Sequence, residues 1–331
     1  MKIYKFLSFA LFILSQVFFS GCKQNHFKVD VSELAEPKVE VHDYASALFT
    51  LNRDSLSSEL KSLQKEFEPF LGNDELLDEE IIQLDFYIND NFLNDLFKSY
   101  QIKFPSLNPL EKDLSSAFRH LKFYFPDEQL PQVFVYISGV QDPVIFQDNI
   151  LVIGVDNYLG FDYELYPRLG IPKYRLSAMN PGNLLRDVVS EMSTTQMPLP
   201  PTNATLLDFM LYEAKKLYFT KSLVPEMEES ILLNYSADQL KWLKNKEKDL
   251  WKFYIENELL FKLDYNSLKS YINDAPFTSE LGNDSPSRTG VWLGYQILLS
   301  YAKNTKSDLK SLLENTNSQD ILDKSKYKPA R

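Results

Sequence analysis

Cysteine is nearly missing from this chain: Cys22 stands alone among 331 residues, so no intramolecular disulfide can form and the fold must rest on an apolar core. Glycine is scarce too. With ten glycines and no G-x-G-x-x-G or P-loop spacing, a glycine-rich phosphate cradle is excluded, and nucleotide chemistry with it. Positive charge is in deficit: the net charge is −11 and Lys and Arg are not segregated, which excludes non-specific nucleic-acid binding. Histidine is limited to His26, His42 and His120, none at a recognisable triad position, and no G-x-S-x-G elbow occurs. What the chain does have is hydrophobic and aromatic material, 44% and 14% of its residues, enough to bury a sizeable core and to argue against disorder.

The first residues account for the lone thiol. Lys2 and Lys5 precede an almost unbroken apolar run from Phe6 to Phe19, and Phe19-Ser20-Gly21-Cys22 closes it with small residues. That run is too short to cross about 30 Å of hydrocarbon, so residues 1–21 read as a secretory signal rather than a membrane span. Its ending resembles the lipobox of bacterial lipoproteins, whose cysteine is lipidated and becomes the first residue of the mature chain. Cys22 is the expected lipidation site, and lipid there removes Cys/His catalysis. Residues 22–30 then form a lipidated N-terminus and tether, and residues 31–331 a single domain held to the membrane and facing the periplasm. The Lys23-Gln-Asn-His26 start lacks the acidic cluster that, by resemblance, sends some lipoproteins to the outer surface.

From His26 to about Tyr44 the chain is polar and has no clear period, as a tether or edge segment would. Asp54 is positioned to cap a helix whose Leu56, Leu60, Leu63 and Phe67 share one face. Further helices run through Phe92–Phe97 and through Leu110, Leu114, Phe118 and Leu121. After Phe125–Pro131 the pattern changes: Val133–Ile137, Val144–Phe146 and Ile150–Ile153 carry the β-branched and aromatic enrichment of strands. Ser236-Ala-Asp-Gln239 is a capping box opening a long helix, whose Lys244, Lys246 and Lys248 form a solvated face. Thr289–Tyr301 reads as a buried helix in which Gly290 and Gly294, four apart, let another element approach closely. A last helix runs through Leu309, Leu312 and Leu313. The expected class is α+β, predominantly helical, with a small central sheet.

The segment 149–219 draws the chemical question. Against the zinc-protease pattern H-E-x-x-H, Ser190-Glu191-Met192-Ser193-Thr194 keeps the glutamate and lacks both histidines, and Glu213 follows after residues 195 to 212, the interval at which thermolysin-like zincins place their glutamate ligand. A catalytic zinc needs three protein ligands and an open position for water. Neither Ser190 nor Thr194 supplies a ring nitrogen, so these four positions, Ser190, Glu191, Thr194 and Glu213, read as a degenerate site with no metal and no cofactor. Glu213 shares a helical face with Leu206, Met210 and Leu217, so its carboxylate is expected to be partly buried and paired with a lysine or arginine such as Arg288. The loop holding Tyr158, Phe161, Tyr163 and Tyr166 offers aromatic area for a partner, or else anchors itself to the core.

One resemblance covers most of the mature chain. The stretches Asp156-Asn-Tyr-Leu-Gly-Phe-Asp-Tyr-Glu-Leu-Tyr-Pro167, Tyr212-Glu-Ala-Lys-Lys-Leu-Tyr-Phe219, Tyr271-Ile-Asn-Asp-Ala-Pro-Phe-Thr-Ser279, Ser285-Pro-Ser-Arg-Thr-Gly-Val-Trp-Leu-Gly-Tyr-Gln-Ile297 and Ser325-Lys-Tyr-Lys-Pro329 resemble the gliding-motility-associated lipoprotein GldB family of Bacteroidota. The resemblance implies a zincin-like fold related to predicted zinc-dependent peptidases, and a role in the envelope machinery of gliding and its associated secretion system, with no assigned reaction. The expected protein is a non-catalytic structural or protein-binding element whose partners are the membrane, through lipid on Cys22, and other gliding or secretion proteins. An envelope hydrolase using Glu191 and Glu213 without metal or at a rearranged site, and a periplasmic chaperone, are the alternatives. Metal analysis of the purified, untagged protein is expected to find no stoichiometric zinc; one ion per chain would overturn the degenerate-site reading.

Overall fold

Local sequence signals set most of the element boundaries in the computed structural model, which describes residues 27–329; the leader, Cys22 and most of the tether lie outside the described residues. In chain order the elements are β1 (Val41–Asp43), α1 (Tyr44–Phe49), α2 (Leu56–Leu63), α3 (Asp78–Asn89), α4 (Asn91–Lys103), α5 (Asn108–Tyr124), β2 (Gln132–Tyr136), β3 (Val144–Gln147), β4 (Ile150–Gly154), α6 (Pro181–Met192), α7 (Leu206–Leu223), α8 (Glu229–Leu233), α9 (Ala237–Glu256), α10 (Thr289–Thr305), α11 (Leu309–Glu314) and α12 (Ser318–Ser325), joined by single-turn helices and loops. The architecture is α+β and mostly helical, as the patterns predict. No helix among the described residues is long and apolar enough to cross a membrane, and Val31–Arg331 is one compact unit.

The sheet has the order β1-β2-β4-β3. Strand β2 pairs parallel with both β1 and β4, and β3 closes the edge antiparallel to β4. Val133, Phe134 and Val135 of β2 are all buried, the mark of a strand covered on both faces. Asp148 and Asn149 make the β3–β4 hairpin in two residues, both left-handed at φ 50° and 63°, the type I′ geometry that Asp and Asn tolerate best after glycine. Strand β1 lies inside the stretch read as a tether or edge segment. Three residues are too few to show a period, and only pairing with β2 makes it a strand.

Helix starts follow capping chemistry. Ser236 and Gln239 form the expected box at α9, and Thr205 and Asp208 form a second at α7. The cap of α2 is a correction: Asp54 sits in a 3₁₀ turn, Arg53–Ser55, whose own cap is the Asn52 side chain accepting from the Asp54 backbone N–H at 3.1 Å. Phe67 lies past the end of α2, yet it is buried with Tyr44, Leu48, Leu60 and Phe134 in the cluster that seats the N-terminal helices on the sheet.

The C-terminal half is built around α7 and α10, both buried nearly all round. A side chain at Gly294 would place its Cβ 2.4 Å from the Met210 carbonyl oxygen, and one at Gly290 would come within 2.9 Å of the Tyr271 carbonyl oxygen. Gly294 lets α10 and α7 meet backbone to backbone, and Gly290, on the same helix, admits the Tyr271 backbone, the close approaches that the spacing predicts. Lys215, on α7, is buried and donates to the Leu313 and Asn315 carbonyls at 3.0 and 2.6 Å, closing the end of α11. Gly294→Ala is expected to cost about 1–3 kcal/mol by overpacking, whereas Gly182→Ala, in open space on α6, should be neutral or stabilising by about 0.5–1 kcal/mol. Chemical denaturation of both variants checks the contrast.

Candidate functional site

A cleft of about 540 Å³ opens between α6, α7, the 175–179 turn, residues 272–274 and the loop before α10. Three of the four degenerate-site positions, Ser190, Glu191 and Glu213, line it, together with Tyr158 and Arg288. Thr194 is not among its lining residues. Helix α6 ends at Met192 and continues as a 3₁₀ turn, Ser193–Thr195, so positions 190 and 194 do not share one α-helical face. The Thr194 hydroxyl donates to the Glu191 carbonyl at 2.7 Å, which closes the helix end.

Five residues that the sequence pattern did not single out complete the charged lining: Arg175, Arg186, Asp187, Lys216 and Asp274. Arg186 donates through Nε to Asp187 at 2.7 Å and through Nη1 to the Ile231 carbonyl at 3.1 Å; Tyr158 donates to the other Asp187 oxygen at 3.0 Å. Burial pushes the Asp187 carboxyl up, against the pull of Arg186, the Tyr158 hydrogen bond and Arg288. The signal was available: Arg186-Asp187 lies between Leu184 and Val188, both buried, and adjacent opposite charges on an apolar helix face have to be paired.

Glu213 is partly buried and paired with a basic side chain as expected, and that side chain is Lys216 at 3.6 Å, one helical turn on. Lys216 acts on Glu191 only through the longer-range attraction of its charge. Arg288 pairs instead with Asp274 at 3.7 Å. Burial works against its cation, and Asp274, Tyr235, Glu213 and Asp187 more than offset this, so its pKa is held above the ordinary value. The backbone helps to aim this side chain: Arg288 is left-handed at φ 56°, and the Tyr235 hydroxyl lies 2.8 and 3.0 Å from the Ser287 and Arg288 carbonyls. Glu191 is half-buried. Burial pushes its carboxyl up, Lys216 opposes the shift and Glu213 adds to it.

The aromatic loop divides. Tyr158 and Tyr166 are fully buried, so they are not a presented surface: Tyr158 holds Asp187, and Tyr166 donates to the Asp156 carbonyl at 2.7 Å. Tyr163 is half-buried, within 3.0 Å of the Ser99 hydroxyl. Phe161 alone points outward, 61% exposed, and its backbone N–H donates to Asn180 at the start of α6. Asp156, fully buried, accepts from the Ser138 N–H at 2.7 Å and from Val140, pinning the turn after β2. Burial raises its pKa against those hydrogen bonds.

Oxygen donors dominate the cleft. Among the described residues no group of three or more His, Cys, Asp or Glu is placed to hold a metal ion. His42 stacks on Phe134 at 5.0 Å, His120 sits on α5 with Nδ1 2.9 Å from the Ser116 carbonyl, and neither lines the cleft. His26 lies outside the described residues.

A family model described as gliding motility protein GldB matches residues 24–329. No curated protein and no solved structure is similar enough to count as a match.

The shift at Glu191 has a sign that can be measured. Its folded pKa lies above the ordinary 4.5, so the native chain binds the proton more tightly and stability falls as pH rises through the window that opens near 4.5. Glu191→Gln removes the titration. Relative to wild type, the variant should gain stability between pH 4 and pH 7, read from urea midpoints at the two ends; an unchanged difference would show that the carboxyl is solvated.

Proposed function

The chain belongs to the gliding motility protein GldB family, and from that premise we propose that it is a lipid-anchored, periplasm-facing component of the gliding apparatus that works by binding rather than by catalysis. Lipid on Cys22 is its tether and a degenerate zincin-like fold its scaffold. The rim of the cleft, where Phe161 stands exposed beside the start of α6, is the contact for another protein of the machinery. One observation carries the reading: three of the four carboxylates lining the cleft have a basic partner, Glu213 with Lys216, Asp187 with Arg186 and Asp274 with Arg288, rather than being aimed jointly at a reacting atom. Partly buried ion pairs of this kind perturb titration without implying chemistry.

The raised Glu191 favours a second reading, a metal-free hydrolase in which this glutamate is the general acid and Glu213 its partner. The two readings separate in living cells. As a binding element, the double variant Glu191→Gln/Glu213→Gln should glide at wild-type speed with normal abundance, and Phe161→Asp should slow gliding at unchanged abundance. Loss of gliding in the double variant, with the protein still folded and abundant, would favour the hydrolase. Cys22→Ser should release the chain from the membrane fraction, checked by detergent phase partitioning.

A further inference from the structure

Three of the charged pairs in the cleft cancel, and two charged side chains of opposite sign are left over. Glu191, half-buried, makes no hydrogen bond or ion pair through its carboxylate among the described residues, and Lys216 acts on it only at longer range. Arg175, which also lines the cleft, is exposed and has no side-chain partner among the described residues. Arg288 adds to the cationic side: it lines the cleft, its ion pair with Asp274 is long at 3.7 Å, and among the described residues its side chain makes no hydrogen bond. The Ser190 hydroxyl, next to Glu191, has no hydrogen-bond partner among the described residues either and also lines the cleft.

Leaving the half-buried Glu191 carboxylate unmatched costs free energy that a cationic ligand group would recover, and the exposed Arg175 is free to meet an anionic group at the cleft. The cleft is of ligand size: about 540 Å³ falls within the range of small-molecule sites, about 300–1,000 Å³. We propose that the floor of this cleft binds a small zwitterion carrying a free ammonium and a free carboxylate, the ammonium held by Glu191 and Ser190 and the carboxylate by Arg288 and Arg175. A guanidinium is the side chain best suited to grip a carboxylate through two parallel N–H donors. The paired groups around it set the selectivity. A simple anion would meet Glu191, Glu213 and Asp187 on the facing wall, and a simple cation would meet Arg288, Arg186 and Lys216, so only a ligand with both charges avoids repulsion. This goes beyond the protein contact at the rim, and a cleft that ignores zwitterions leaves that reading standing.

The test is calorimetric titration of the full-length mature protein with three probes: an equimolar mixture of the twenty amino acids, trialanine with free ends, and trialanine acetylated at one end and amidated at the other. Saturable heat is expected from at least one of the first two and none from the capped peptide, and the choice between them separates a free amino acid from a peptide end. Glu191→Gln and Arg175→Ala should each weaken binding by about tenfold or more, as when one partner of a charge pair is removed, with thermal midpoints in the absence of ligand showing that both variants are folded. Lack of any saturable heat up to about 10 mM, equal binding of the capped peptide, or wild-type affinity in both variants would overturn the proposal.

Discussion

The backbone contact between α7 and α10 is the constraint on which the rest of the C-terminal half depends. Gly294 stands where any side chain would strike the Met210 carbonyl, so the interaxial distance is set by main-chain atoms and not by compressible side chains. Helix α7 carries Glu213 and Lys216 into the cleft, and the residue capping the start of α10 is Arg288. Fixing the two helices therefore fixes the Glu213–Lys216 pair and Arg288 relative to each other. Helix α6 completes the arrangement, bringing Arg186, Asp187 and Glu191 against the same space.

Within that frame the cleft is governed by compensation. Each carboxylate on its walls except Glu191 has a basic partner within 4 Å, and the desolvation of each partner is offset by the other. Such pairs contribute little net stability over an apolar substitute, but removing one member strands the other and is costly. The geometry is thus held by mutual need, which suits a recognition surface whose shape must persist whether or not anything is bound.

Much of this was legible in the residues and some was not. The Leu110–Leu121 stripe, the Ser236 box and the Gly290/Gly294 pair are local or periodic signals that land as placed, while the Leu56 stripe stops at Leu63, short of Phe67. Strand β1 was invisible because its identity comes from pairing with β2 across some ninety residues of chain. Ser190, Glu191 and Glu213 do converge on one cleft, yet Thr194 does not, because the helix tightens one turn too early for the i, i+4 spacing to apply. Glu213 has a basic partner as its half-buried position requires, and it is the local one, Lys216 at i+3, whereas Arg288 pairs with Asp274. The inward turn of Tyr158 and Tyr166 was the harder case, since aromatic loops look alike in sequence whether they face solvent or core.

The cancellation of charge in the cleft also bears on how anything reaches it. The chain as a whole carries −11, so its far field repels anions and attracts cations, while the cleft itself adds almost no net pull of its own. A neutral or zwitterionic visitor feels neither, and its encounter rate should be nearly independent of ionic strength. An acidic protein approaching the rim is opposed at low salt and admitted as the field is screened over about 8–10 Å. Association with an acidic protein would thus be fastest where salt screens that field, and discrimination is left to short-range fit.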